Sequence, residues 1–217
     1  MVFKQIKNMN YENYPDHCKF PDSEWENFHK NHISNWNRLL HPFKGQKNTV
    51  GIEIGSFCGG SAVWCLENLF DKETGFLYCI DIEETDYLKN NLSPYKNVKF
   101  IKGDSFDVLK SLNHNGNCGE FADFIYVDGS HIAKNVLEDL VLSWRLLKQN
   151  GIMIMDDYGW GYDRPDKEKP APAIDAFLYI YQDLYDILDH GWQITIRKKP
   201  YVMKEDFLQK TYDTTNV

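Results

Sequence analysis

Apolar positions along the chain follow two alternating periods. Short β-rich runs occur at TVGIEI (49–54), GFLYCID (75–81), NVKFI (97–101), FADFIYV (121–127) and IMIM (152–155). Between them, apolar residues recur every three or four positions, as on one face of a helix. Helices are predicted over Glu24–Leu40, from Ser61 to Leu69, over Phe106–Leu112, over Ile132–Lys148 and over Ala173–Leu188. The first carries Trp25, Phe28, Ile33, Trp36, Leu39 and Leu40 as packing residues and stops at His41-Pro42. The fourth presents Val136, Leu137, Leu140, Val141, Trp144 and Leu147 and stops at Asn150-Gly151. A last strand, WQITI (192–196), is expected near a sheet edge with the basic run Arg197-Lys198-Lys199 beyond it. Strands alternating with helices predict an α/β fold with a mostly parallel sheet. Residues 1–20 carry no firm pattern, and the tail from Asp206 is expected to be loosely ordered.

The first strand–turn–helix unit is the informative one. Gly55-Ser56-Phe57-Cys58-Gly59-Gly60 follows the strand, and Ser61 can cap or open the next helix, whose stripe is Ala62, Val63, Cys65, Leu66 and Leu69. In open α/β sheets such a turn meets nucleotide-like ligands with its backbone amides. A dinucleotide turn needs a glycine where Phe57 stands, so the backbone can approach a pyrophosphate. Glu53 adds a negative charge at the strand end. Both features disfavour a diphosphate and suit a cation-bearing ligand without phosphate, and S-adenosylmethionine meets that description. Asp81 ends the second strand, where an acid accepts from ribose hydroxyls. Asp104 and Ser105 follow the third strand and reach the adenine side, cap the next helix, or do both.

Charge and cysteine usage narrow the class. The formal net charge of -8 disfavours a large nucleic-acid footprint. The cysteines are Cys18, Cys58, Cys65, Cys79 and Cys118, an odd set without C-x-x-C spacing. They fit reduced thiols in a cytoplasmic protein better than disulfides or zinc. No signal-peptide core and no run of about 18 apolar residues is present, so no membrane is expected. His17, His29, His32 and His41 are too irregularly spaced for a metal site.

The second constellation is acidic. Asp128 follows the fourth strand, and Asp156-Asp157 follow the fifth. If those strands are neighbours, three carboxylates converge and need a cation, for which Mg²⁺ or another divalent ion is the simple choice. Such an ion can orient an acceptor hydroxyl and lower its pKa. His131, just after Asp128, is the candidate general base. Helix capping by Asp128 and turn formation by Asp156-Asp157 are the structural alternatives. The loop Tyr158-Gly159-Trp160-Gly161-Tyr162 either walls an acceptor site or packs on itself.

Taken together, GIEIGSFCGGS, Asp81, Asp104-Ser105, VDGSH and IMIMDDY resemble the class I S-adenosylmethionine-dependent methyltransferases, and among them the small metal-dependent O-methyltransferases of the catechol and macrocin type. The likeness runs from about Val50 to Lys199. It implies a seven-stranded, doubly wound sheet with helices on both faces. Residues 1–45 would form a helical or lid segment, 46–200 the cofactor-binding domain and 201–217 a tail. Glu53, Gly55 and Ser61 would line the methionine part of the cofactor, and Ser56, Phe57 and Gly59 would also bind the cofactor. Asp81 would bind the ribose, Asp104 and Ser105 would match the adenine side, and Ile82 and Asp128 would also bind the cofactor. Asp128, Asp156 and Asp157 would hold the metal, with His131 and Asp128 catalytic. His131 stands where the catechol enzymes carry lysine, and Asp157 where they carry asparagine. The acceptor would be a hydroxyl on a small molecule or sugar, with oligomeric state open. Two rival readings are a non-catalytic S-adenosylmethionine-binding protein and an NAD-dependent oxidoreductase.

Overall fold

The computed structural model describes residues 14–21, 32–114 and 119–201. The helix containing residues 32–39 (α1) is followed by β1 (Val50–Ile54), α2 (Gly60–Asn68), β2 (Phe76–Asp81) and α3 (Asp86–Leu92). Then come β3 (Val98–Lys102), α4 (Ser105–His114), β4 (Ala122–Val127), α5 (Ala133–Leu146) and β5 (Leu147–Met155). α6 (Ala171–Tyr181), β6 (Tyr185–His190) and β7 (Ile194–Lys198) complete the sequence of elements. Trp25, Phe28, Cys118 and the tail from Asp206 lie outside the described residues.

The strands form one seven-stranded sheet in the order β3-β2-β1-β4-β5-β7-β6. Strands β1 to β5 pair in parallel, and β7 runs antiparallel to both β5 and β6. Alternation along each strand sends side chains to two cores. Leu77, Cys79, Phe124, Tyr126 and Ile154 meet Trp36 and Leu40 of the N-terminal segment, Trp64 of α2 and Leu88 of α3. Ile52, Ile54, Ile125, Val127 and Met153 meet Leu109 of α4, Leu140 of α5 and Phe177 of α6. Among the described residues, no helix is long and apolar enough to cross a membrane.

The register places the chemistry. Ile54 lies opposite Ile80 and Val127, and Val127 lies opposite Met155. Backbone hydrogen bonds carry this alignment past the strand ends: Gly55 N to Ile80 O, Asp128 N to Ile54 O and Asp156 N to Val127 O. Gly55, Asp81, Asp128 and Asp156 therefore stand in one row, where strand order reverses on either side of β1. Open α/β sheets bind their ligands in that crevice.

Three expectations change. The predicted helix Ala173–Leu188 is α6 followed by an edge strand, β6. Leu184 N closes a turn on Tyr181 O, and the remaining residues hydrogen-bond to β7 rather than to the preceding turn. Helix α5 ends at Leu146, because Leu147 onward pairs with β4. Asn150, with a positive φ, bends the strand rather than stopping the helix. Of the basic run, Arg197 and Lys198 lie inside β7, and Lys199 lies beyond it. Lys198 is buried, donates to Trp144 O and Leu147 O at the end of α5, and pairs with Glu120.

Candidate active site

The turn after β1 is built on left-handed backbone. Gly55 (φ 87), Phe57 (φ 42) and Gly59 (φ 80) all have positive φ. Phe57 pays no phosphate-like ligand a visit through its amide, which is taken by the carboxylate of Asp81 at 2.8 Å. The other Asp81 oxygen accepts from Glu83 N at 3.0 Å. Thr85 Oγ1 donates to Phe57 O, so the end of β2 clamps the turn from two sides. Ser61 does not cap α2. The N-cap is Gly59, and the Ser61 hydroxyl donates instead to Glu53 Oε1. Glu53 is buried, and burial raises its pKa, with Ser61 opposing by hydrogen bonding.

A cleft of about 750 Å³ opens at the strand ends. Gly55, Asp81, Ile82, Asp104 and Ser105 line it, together with Asp139 and others. Ile82 is 72% exposed, an apolar surface available to a flat ring. Asp104 accepts from Phe106 N, so it caps α4 while facing the cleft. Glu53 and Ser61 lie elsewhere, lining a small void on the other face of the sheet beside Trp36 and Tyr126. The cleft lining carries five acids (Asp81, Asp104, Asp107, Glu138, Asp139) against one lysine, Lys134. A diphosphate would meet net repulsion there, and a cation attraction.

Asp139 was not singled out by sequence. It sits on α5, is 1% exposed, and among the described residues neither carboxylate oxygen meets a donor in hydrogen-bond geometry. Burial pushes its pKa up to about 6; the Ser105 side chain opposes, and the charges of Asp104 and Glu138 add. A carboxyl raised on folding favours the fold while protonated, and that contribution is lost as pH rises from the ordinary value of 3.8 through about 6. The loss amounts to about 3 kcal/mol at neutral pH. Asp139→Asn is therefore expected to raise the thermal midpoint above pH 7 and to change it little near pH 4. Thermal melts of both chains across that range check this, and an equal shift at both ends would refute the burial account.

The three aspartates after β4 and β5 come together. The Tyr126 hydroxyl donates to Asp156 Oδ2 and lies 3.0 Å from Asp128 Oδ2. Gln193 Nε2 donates to the same Asp156 oxygen at 2.7 Å, and Asp157 N to Asp156 Oδ1. Burial raises the carboxyls of Asp128 and Asp156, and the neighbouring aspartates add to the rise. Asp157 Oδ2 lies 2.6 Å from His131 Nε2, and its Oδ1 accepts from Trp192 Nε1. The His131 ring stacks on Trp160 with centroids 4.0 Å apart, and Arg164 lies over the same indole. Asp128 does not cap α5, whose N-cap is Ile132, while Ser130 Oγ accepts from Ile132 N. Among the described residues no group of three or more His, Cys, Asp or Glu side chains is set as a metal cage. In kind the donors still suit a hard divalent ion, since they are carboxylate oxygens without a lysine or arginine bonded to them.

Tyr126, Gln193 and Trp192 were missed from sequence. Tyr126 carried a signal: it lies on β4 two residues before Asp128, on the side that the strand's alternation continues to Asp128. Gln193 and Trp192 carried none, because only the β5–β7 pairing brings them to the acids. The described cysteines are free and buried, and burial raises their thiols, Cys58 to about 12.

Known methyltransferases share this architecture. Residues 52–158 match the model of a methyltransferase domain family. A protein of Acanthamoeba polyphaga mimivirus described as uncharacterized is 30% identical over 117 residues, covering 49% of this chain and 50% of that protein. MycE, a methyltransferase of mycinamycin biosynthesis solved with Mg and SAH, superposes with a TM-score of 0.60 at 18% identity, over 77% of this chain and 49% of that one. The O-methyltransferase TomG of Streptomyces achromogenes, solved with SAM, gives 0.59 at 18% identity, over 84% and 92%. An O-methyltransferase of Bacillus cereus, solved with SAH, gives 0.61 at 15% identity, over 87% and 86%. The chain thus spans about half the length of the mimivirus protein and of MycE. The domain match, the strand order and the acid-lined crevice at its reversal converge: residues 52–158 match a methyltransferase domain, and the chain has the fold of the class I S-adenosylmethionine-dependent methyltransferases.

Proposed function

We propose that the chain methylates a hydroxyl oxygen of a small molecule or sugar, with His131 as general base and Mg²⁺ or another divalent cation held by Asp128, Asp156 and Asp157. The observation that carries this reading is the His131–Asp157 contact of 2.6 Å beside the Tyr126-bridged acids. An ionised carboxylate only accepts, so Nε2 keeps its hydrogen toward Asp157. Nδ1 is then left to take the acceptor's hydroxyl proton. Stacking on Trp160 holds the ring plane, so the accepting lone pair has a fixed direction. When bound, the divalent ion offsets the acids' charge and lowers the acceptor's pKa. The neighbours described as O-methyltransferases, and the Mg named with MycE, favour the same chemistry.

The cofactor residues take distinct parts. Asp81 faces the ribose hydroxyls with lone pairs beyond the two it spends on the turn. Asp104 and Ser105 serve the adenine edge, and Ile82 offers the base an apolar face. Glu53, Ser56, Phe57, Gly59 and Ser61 shape the turn that carries the methionine part, and Asp128 faces that part from the end of β4. The acid-rich lining argues against an NAD-dependent rival. The test is a calorimetric titration with Mg²⁺ of the chain holding S-adenosylhomocysteine. One ion per chain is expected, weakened about 100-fold or more in Asp128→Asn and Asp156→Asn. Binding unaffected by both substitutions would remove these acids from the metal site.

A further inference from the structure

We propose that Trp36, on α1, is a positioning residue for the acid cluster and acts through Gln193. Its indole N–H donates to Gln193 Oε1 at 3.0 Å in a buried contact. An indole nitrogen only donates, whereas a primary amide has an accepting and a donating end. Trp36 therefore decides which end of Gln193 faces it. The amide NH₂ is left facing Asp156 Oδ2 at 2.7 Å and the Tyr126 hydroxyl at 3.4 Å. The opposite orientation would set a carbonyl oxygen against a carboxylate and leave the indole N–H facing a donor.

The indole is itself held by packing. Its ring meets Trp64 and Tyr126 edge-on, each at 5.3 Å between centroids. A fixed ring gives a fixed N–H direction, and the direction passes along the chain of donors: indole to amide, amide to Asp156, with Tyr126 joining Asp156 to Asp128. Residues that orient a ligating carboxylate tune a site without touching the reacting atoms. Seating of α1 on the sheet is thereby coupled to the orientation of an acid more than a hundred residues later in the sequence. The consequence for catalysis rests on the reading of Asp156 given under Proposed function.

Trp36→Phe keeps an aromatic ring in place and removes the N–H. It is expected to lower Mg²⁺ affinity and kcat by about 10-fold each, while the KM for S-adenosylmethionine stays within about twofold. Gln193→Leu is expected to do the same. The double variant is expected to be no worse than Gln193→Leu alone, because Trp36 acts through that amide. A merely structural Trp36 would instead give effects that add, or lower the thermal midpoint with Mg²⁺ affinity unchanged, and either result overturns the proposal. A metal-free readout separates this inference from its parent. In the wild-type chain the Gln193 side-chain amide protons are expected to exchange slowly and to give two resolved NMR signals, and in Trp36→Phe to lose that protection. If no Mg²⁺ binds, the metal reading falls and these signals still decide the role of Trp36; unchanged signals overturn it.

Discussion

Replacing His131 with alanine is expected to lower kcat about 10² to 10⁴-fold, with S-adenosylhomocysteine binding within about twofold of wild type. The imidazole is 2.6 Å from Asp157 and stacked on Trp160, outside the lining of the 750 Å³ cleft. On the proposed reading its removal takes away the proton acceptor and leaves the lining of the cleft intact. A uniform loss of binding would instead raise KM with kcat unchanged. Steady-state kinetics on any turned-over acceptor, with calorimetry on S-adenosylhomocysteine, separate the two. A fall in kcat of less than about 10-fold would leave no place for His131 as base.

Gly55→Ala is expected to be the most damaging single methyl group. A Cβ at that position would stand 2.0 Å from Asp128 O and 2.5 Å from Asp128 C, both backbone atoms. The residue also has φ +87, which an L side chain adopts only with strain. Relief requires β1 and β4 to part at the level where Gly55, Asp128 and Asp156 stand in register. The expected loss is about 3 kcal/mol or more, a fall of roughly 6–12 °C in thermal midpoint for a chain of this size. S-adenosylhomocysteine binding is expected to fall with it, since the turn cradles the cleft. Gly45→Ala is the matched control: it shares a positive φ (+66), but no atom of the described residues lies within 4 Å of the added carbon. It is expected to cost about 1 kcal/mol and no binding. Equal effects at the two glycines would mean that backbone strain alone, and not contact with Asp128, sets the damage.

The row of strand-end acids was legible in the sequence because each acid directly follows an apolar run, and parallel strands end on one side. Asp81, Asp128 and Asp156 could be placed from that rule alone. The edge of the sheet was not. Residues 173–188 carry enough apolar positions for one long helix, and only pairing with β7 turns Tyr185–His190 into a strand. Lys198 was expected beyond the last strand, yet the end of α5 supplies two carbonyls and Glu120 a carboxylate, which together let it be buried. Asp139 was hidden for the opposite reason. On the helix pattern it is one polar residue among several, and nothing local says that α4 packs over it. Gln193 and Trp36 belong to segments 157 positions apart, so their bond is a product of the fold and not of any motif.

The most direct measurement is transfer of tritium from S-adenosyl-[methyl-tritiated]methionine into a panel of catechols, glycosides and other hydroxyl-bearing small molecules, with Mg²⁺ and with a chelator. The expected result is label recovered as an O-methyl group on at least one acceptor, formed with Mg²⁺, suppressed by the chelator and lost in His131→Ala. Transfer that is indifferent to the chelator and to His131, or that delivers the methyl group to nitrogen or carbon, would contradict the assignment of the acid cluster and its histidine.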